Sequence, residues 1–174
     1  LQPQDSALLA AKTNVRYGNT FYNTPEVLKL SLSEVGKLPP DIDRLKNLRL
    51  LEIYAPERMP TFLSVPEPLW QLTNLEYLLI SHTAVDSLSP LIRNLSALRE
   101  LHLPHNSKLK KLPPEVSQLP MLEVLDAGTA ALPHNLSYAS RLRELHTTAA
   151  RLPSLPQLQV LYFNGEKLTD QVLS

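Results

Sequence analysis

The sequence predicts an α/β solenoid, a curved stack of short coils with one parallel sheet on its concave face and short α or 3₁₀ turns and loops on its convex face. Seven segments share a frame in which apolar residues occupy positions one, four and six. The frames begin at residues 25, 48, 75, 98, 122, 142 and 158, which gives steps of 23, 27, 23, 24, 20 and 16 residues. A period in the twenties is typical of stacked repeats that share one core.

The frame itself predicts a strand in each repeat. In the clearest copy, Leu98, Leu101 and Leu103 occupy positions one, four and six, and polar residues lie between them. Such alternation favours a short strand with positions four and six facing the core. We expect strands centred near seven leucines that form one parallel sheet: Leu28, Leu51, Leu78, Leu101, Leu125, Leu145 and Leu161.

The return segments predict short helices on the opposite side of the coil. Their pattern is Leu-Pro followed by apolar residues every three or four positions, as in Leu112-Pro113 with Val116 and Leu119. This spacing suits one or two turns of α or 3₁₀ helix, with the proline in the first turn. Residues 58–63 form an insertion, the repeats from 122 and 142 are shortened, and the repeat from 142 loses its helical half.

Position nine of such a repeat calls for an Asn that hydrogen-bonds buried backbone groups of the turn. Only Asn106 provides it, so we expect irregular loops near Ala130 and Ala150. Residues 1–24 do not follow the repeat. They predict an N-terminal cap made of a short helix after Asp5-Ser6 and a loop at 16–20, ahead of a repeat domain of about seven irregular repeats at 25–174.

Composition restricts the partners. Lys plus Arg and Asp plus Glu each number 17, so the formal net charge is zero and neither nucleic acid nor an anionic membrane is expected as a partner. No apolar run approaches the length of a membrane span. Cys is absent, which favours an intracellular or bacterial protein over one closed by disulfide-bonded caps. We expect a monomer without a cofactor.

Residues 25–168 resemble the leucine-rich-repeat family. The Leu-Pro-x-x-apolar returns are similar to those of type III secreted effectors of plant-pathogenic bacteria and of plant intracellular immune receptors. Irregular repeat lengths, only four Gly and the short coil at 152–158 favour the effectors. The resemblance implies a non-enzymatic protein-binding module, part of an effector secreted into the host cytoplasm. The alternative it implies is a substrate-recruiting domain of a ubiquitin-ligase effector whose catalytic domain lies outside this chain.

The outward positions of neighbouring strands form columns, because equivalent residues of a stacked solenoid lie about 4.8 Å apart. The column at position two alternates in sign and predicts a cross-strand salt ladder: Glu26, Arg49, Glu76, Arg99, Glu123, Arg143 and Gln159. Leu50, Tyr54, Tyr77 and Leu79 gather on two adjacent strands and predict an apolar contact patch. The competing interpretation is that the insertion at 58–63 folds over them.

Position five brings His102, Asp126 and His146 onto three successive strands, with Tyr162 on the next and with His82 and His105 nearby at position eight. We interpret this column as a polar stripe that contacts a partner, and expect Asp126 to lie beside both histidines. A metal site of two His and one carboxylate is the chemical alternative. A hydrolytic centre is disfavoured, because Thr129 and Thr148 are the only hydroxyls nearby. The predicted partner-binding residues are Leu50, Tyr54, Tyr77, Leu79, His102, His105, Asp126, His146 and Tyr162, with no catalytic or metal-binding residue.

Overall fold

The computed structural model describes residues 15–17, 20–22, 27–31, 38, 42–54 and 64–169. Seven parallel strands follow one another through the sheet: β3 Val27–Ser31, β4 Leu50–Tyr54, β5 Tyr77–Ser81, β6 Glu100–His102, β7 Val124–Asp126, β8 Glu144–Thr147 and β9 Val160–Phe163. The seven leucines at position four are partners in one continuous register, from Leu28 to Leu161. The predicted strand centres and the parallel sheet are therefore confirmed.

The core lies between this sheet and the return segments. Position-one leucines from Leu48 to Leu142 and position-four leucines from Leu51 to Leu161 are buried. The returns are 3₁₀ helices: η1 Ile42–Arg44, η2 Glu67–Gln71, η3 Pro90–Asn94, η4 Pro114–Gln118 and η5 Leu136–Tyr138. Pro66 and Pro113 have extended backbone and precede η2 and η4 as caps. The prediction that these two prolines lie inside the first helical turn is therefore wrong by one residue.

The turn at Asn106 has the structure that the sequence predicts. The buried amide Nδ2 of Asn106 donates to the carbonyl oxygens of Ile80 (2.7 Å) and Leu103 (3.1 Å). Its Oδ1 accepts hydrogen bonds from the backbone N–H and the hydroxyl of Thr83, the position-nine residue of the preceding repeat. One side chain thus satisfies polar groups in two successive coils.

Other side chains take over this role in the shortened repeats. Asp126 Oδ1 accepts from the N–H of Gly128 at 2.9 Å, and Thr147 Oγ1 accepts from the N–H of Ala149 at 3.0 Å. Between β8 and β9, where every residue is described, no 3₁₀ helix forms, as expected. The missing helix leaves an open apolar groove lined by Leu152, Leu155 and Leu158.

Two antiparallel pairings differ from the sequence-based expectations. β1 Val15–Tyr17 pairs with β2 Thr20–Tyr22, so Arg16, Tyr17 and Thr20 lie in strands where a loop is predicted. Cα atoms of β1 lie within 8 Å of β3. The helix after Asp5-Ser6 lies outside the described residues, and the capping role of residues 1–24 stays a prediction.

At the other end, β10 Glu166–Thr169 pairs antiparallel with β9. Glu166 therefore belongs to a hairpin strand, and its assignment to position nine of the last repeat is wrong. The turn residues Asn164 and Gly165 have φ of 51° and 82°. Asn-Gly with two positive φ values is the preferred two-residue hairpin turn, because its twist matches that of the strands.

Candidate protein-binding face

The side of the sheet that faces away from the core is here called the open sheet face. Tyr54 at position seven and His82 and His105 at position eight lie at its border, and positions three and five of β4 to β9 form its centre. These side chains are half-buried: Leu50, Glu52, Tyr77, Leu79, Glu100, His102, Val124, Asp126, Glu144, His146, Val160 and Tyr162. Positions seven and eight contribute less than the sequence predicts. Ser81 and Ala149 are buried, so these two residues do not line the face.

The predicted apolar patch is assembled at the β4–β5 end of the face. Leu50 is the register partner of Tyr77, and Leu79 lies two residues further along β5, where it is the partner of Glu52. Tyr54 at the end of β4 is 42% exposed, whereas the other three are half-buried. Residues 58–63, the alternative cover for this patch, lie outside the described residues. The patch presents one exposed aromatic ring above three partly accessible apolar side chains.

Histidine rings extend this patch along the strand ends. The ring of His82 lies edge-on to Tyr54, with centroids 5.1 Å apart, and 4.4 Å from the ring of His105. His82 and His105 both have left-handed backbone, with φ of 56° and 59°. They precede Thr83 and Asn106, so the shared hydrogen bonds of that buried pair hold the two turns in the same unusual conformation. The left-handed backbone of the two turns therefore brings the rings of His82 and His105 into contact.

His102, Asp126 and His146 are neighbours in the strand register, but the side chain of Asp126 does not pair with either histidine. Asp126 is the register partner of His102 and of His146. However, Nε2 of His102 lies 3.1 Å from Oε2 of Glu100, and Nε2 of His146 lies 2.6 Å from Oε1 of Glu144. The predicted contact of Asp126 with both histidines is thus replaced by pairs within each strand. The physical reason is that the short Asp126 side chain turns back to accept the Gly128 N–H.

Each histidine also contacts a tyrosine on the neighbouring strand. The ring of Tyr77 lies 5.0 Å from that of His102, and Tyr162 stacks on His146 at 4.2 Å with an interplanar angle of 16°. We call these groups the Glu–His–Tyr triplets, one of Glu100, His102 and Tyr77, the other of Glu144, His146 and Tyr162. They flank β7 on its two sides. The sequence signal for them was Glu-x-His in both β6 and β8, since residues two apart share one face of a strand.

The position-two column forms separate ion pairs rather than a continuous ladder. Arg49 contacts Oε1 of Glu76 through Nε at 3.1 Å and Nη2 at 2.5 Å, and Nη1 of Arg99 lies 2.7 Å from Oε1 of Glu123. Across the described strands β4 to β8, no ion pair joins Glu76 to Arg99 or Glu123 to Arg143. Among the described residues of this column, Arg99 pairs with Glu123 and not with Glu76, so the signs alternate but the predicted continuous ladder is wrong.

The polar side chains of this face contact one another. Among the described residues, no group of three or more His, Asp or Glu could hold a metal ion. The histidines instead make hydrogen bonds to glutamates and ring contacts to tyrosines. Over the same part of the chain, no helix has the length and apolar character needed to cross a membrane. What the face offers is aromatic, apolar and carboxylate groups for contact with another molecule.

Solved structures with the same architecture are found among repeat proteins, although no family model matches the chain. A leucine-rich-repeat protein of Leptospira interrogans shares 29% identity with a TM-score of 0.64, over 88% of this chain and 38% of its own. The leucine-rich-repeat domain of the type III effector XopL shares 27% identity with a TM-score of 0.50, over 76% of this chain and 57% of its own.

The fold also matches that of the receptor-kinase ectodomain GASSHO1/SCHENGEN3 from Arabidopsis thaliana, solved in complex with CASPARIAN STRIP INTEGRITY FACTOR 2. Its identity is 23% and its TM-score 0.54, over 73% of this chain and 16% of that one, which shows the fold alone. This chain therefore spans well under two thirds of each of the three proteins. Together with the seven position-four leucines in one parallel register, these similarities show that the chain has the leucine-rich-repeat solenoid fold.

Proposed function

We propose that this protein is a non-enzymatic interaction module that binds another protein on its open sheet face, the concave side of the solenoid. The observation that carries the proposal is the cluster of rings around Tyr54. Tyr54 is exposed, its ring contacts His82, and His82 contacts His105. Outward aromatic residues held in place by neighbours lose little conformational freedom on binding, and such residues often dominate interface energies.

The proposed anchors are Tyr54, Tyr77 and Leu79, and the other predicted contact residues surround them. Loss of one aromatic anchor often costs about 2 kcal/mol or more in binding, which is roughly thirtyfold in affinity. A Tyr54→Ala/Tyr77→Ala variant should therefore lose the partners that the natural protein captures. Tyr138 provides a matched control, because it is 77% exposed but belongs to η5 on the opposite side of the core.

The experiment is affinity capture from plant-cell extract with mass spectrometry, in which the natural protein is compared with both variants. We expect Tyr138→Ala to retain the captured proteins and the double variant to lose them. Circular dichroism must show that all three are folded. Capture that is unchanged in the double variant and lost in Tyr138→Ala would place binding on the other side of the molecule.

We further propose that the chain is part of a bacterial effector acting inside a host cell. Its similarity to the repeat domain of XopL supports this role. The second candidate is a substrate-recruiting domain of a ubiquitin-ligase effector whose catalytic domain lies outside this chain. The two are separated by incubating the full-length protein and its captured partner with ATP, ubiquitin, ubiquitin-activating enzyme and ubiquitin-conjugating enzymes. Modified partner in that reaction supports recruitment, and unmodified partner supports binding alone.

A further inference from the structure

The charges on the open sheet face are of one sign. Positions three and five of β4 to β9 hold four carboxylates, from Glu52, Glu100, Asp126 and Glu144, and neither Lys nor Arg. The formal charge of positions three and five is therefore −4 with His neutral, although the whole chain is neutral. A sheet face whose charged groups are all carboxylates attracts a positively charged partner and repels an acidic one.

The Glu–His–Tyr triplets place two of these carboxylates at a regular spacing across the sheet. Their Glu and His members lie on β6 and β8, one pair on each side of β7, so these pairs repeat at twice the strand spacing, or about 9.6 Å. Val124 and Asp126 lie between them on β7. In each triplet a carboxylate lies beside a histidine ring that contacts a tyrosine ring. Carboxylate oxygens and aromatic faces both attract a Lys or Arg side chain.

The neighbouring arginines do not cancel this preference. Arg49 and Arg99 lie in the position-two column at the edge of the face, and Glu76 and Glu123 pair with them. Arg143 of the same column adds one positive charge, so positions two, three and five together keep a formal charge of −3. The apolar patch lies at the other end, on β4 and β5. The face thus has a mainly apolar part on β4 and β5 and an acidic part from β6 to β8, and Tyr77 belongs to both because its ring contacts His102. One extended segment that crosses the strands can contact both parts.

We propose that the acidic part of the open sheet face, from β6 to β8, binds a basic segment of the partner protein, with one Lys or Arg side chain at each Glu–His–Tyr triplet. This inference rests on the proposed function, because it names the chemistry of the partner at the same face. A polyproline II segment repeats its side-chain direction every three residues, or about 9.3 Å, which matches the spacing of the triplets. Two cationic residues separated by two others satisfy both triplets at once.

The test uses the fluorescein-labelled peptide Pro-Pro-Arg-Pro-Pro-Arg-Pro-Pro and the same peptide with citrulline in place of both arginines. Citrulline keeps the shape of arginine and removes its charge. Fluorescence anisotropy at low salt should show binding of the arginine peptide that weakens as salt is added. Neutralising both triplets with Glu100→Gln/Glu144→Gln should weaken binding by about five- to thirtyfold, the expectation for two partly exposed charge pairs.

A charge-matched control removes two carboxylates away from the face. Glu67 belongs to η2 and Asp86 to the loop after β5, and both are exposed. Glu67→Gln/Asp86→Asn should leave the anisotropy titration unchanged within about twofold. Equal weakening by both double variants would mean that only net charge matters, and would overturn the inference. So would equal affinity for the arginine and citrulline peptides, or no binding of the arginine peptide to the natural protein.

The same variants separate this inference from the proposed function. If Tyr54→Ala/Tyr77→Ala loses the captured partner while Glu100→Gln/Glu144→Gln keeps it with unchanged affinity, the face binds a protein but not through a basic segment. If neither variant affects capture, the proposed function itself fails. If both double variants lose the partner while the control variant Glu67→Gln/Asp86→Asn still captures it, the result supports both the proposed function and this inference.

Discussion

Asn106 and Thr83 form one buried polar pair that links two successive coils. Oδ1 of Asn106 accepts the backbone N–H of Thr83 at 3.0 Å and its hydroxyl at 2.7 Å. Both residues occupy position nine, and both are about 95% buried. Because the turns on either side carry His82 and His105 in left-handed conformation, this pair also positions the rings next to the apolar patch. Stability and the shape of the candidate site therefore depend on the same hydrogen bonds.

Asn106→Ala should destabilise the protein by about 3 kcal/mol, because it leaves the Thr83 N–H and the carbonyls of Ile80 and Leu103 buried without this partner. Thr83→Val removes only the hydroxyl and should cost about 1 kcal/mol. Urea unfolding measures both. A loss below about 1 kcal/mol for Asn106→Ala would show that water or other groups replace the amide.

Leu101→Ala and Leu125→Ala should each cost about 2–5 kcal/mol, because both side chains are fully buried between coils. Leu152 serves as the control, since it is 42% exposed beside the groove between β8 and β9. Its substitution by Ala should cost less than about 1 kcal/mol in the same urea experiment. Equal losses of unfolding free energy at Leu101 and Leu152 would contradict the conclusion that burial between stacked coils stabilises the fold.

Arg99→Glu should destabilise more than Arg99→Ala, by about 0.5–1 kcal/mol, because the reversal places a carboxylate beside Glu123 and next to Glu76 in the column. Added salt should reduce the difference between the two variants. Arg151 is exposed outside the column, so the same pair of substitutions there should differ little. A difference at Arg99 that persists in high salt would attribute the effect to packing of the arginine stem.

Gly128→Ala should destabilise more than Gly165→Ala. Both glycines have positive φ, so either substitution carries about 1–2 kcal/mol of backbone strain. At Gly128 the new Cβ would also lie 2.9 Å from the carbonyl oxygen of Leu103, whereas at Gly165 nothing lies within 4 Å. Thermal unfolding of the two variants should show the difference. A greater loss at Gly165 would mean that the β9–β10 hairpin stabilises the sheet more than this contact does.

Parts of the candidate site follow from the register alone. Once position four is assigned, the neighbours of Leu50, Tyr77 and Leu79 are determined, and the apolar patch can be read from the sequence. The register does not determine the contacts of His102 and His146. Each histidine has one carboxylate on the neighbouring strand, that of Asp126, and another two residues earlier in its own strand. The structure selects Glu100 and Glu144. Their longer side chains reach the rings, while Asp126 is engaged by its own turn.

The C-terminal end of the sheet also shows what the sequence predicts and what only the structure reveals. The Asn164-Gly165 dipeptide is typical of a hairpin turn and can be recognised in the sequence. The repeat frame instead placed Glu166 in a turn, so the hairpin was not predicted. The sequence by itself determined the period, the strand centres and the core, because leucines at a fixed spacing can be buried only by stacking in register. The tertiary structure alone decided which polar side chains meet, since several partners lie within reach of each and only the packed backbone sets the distances.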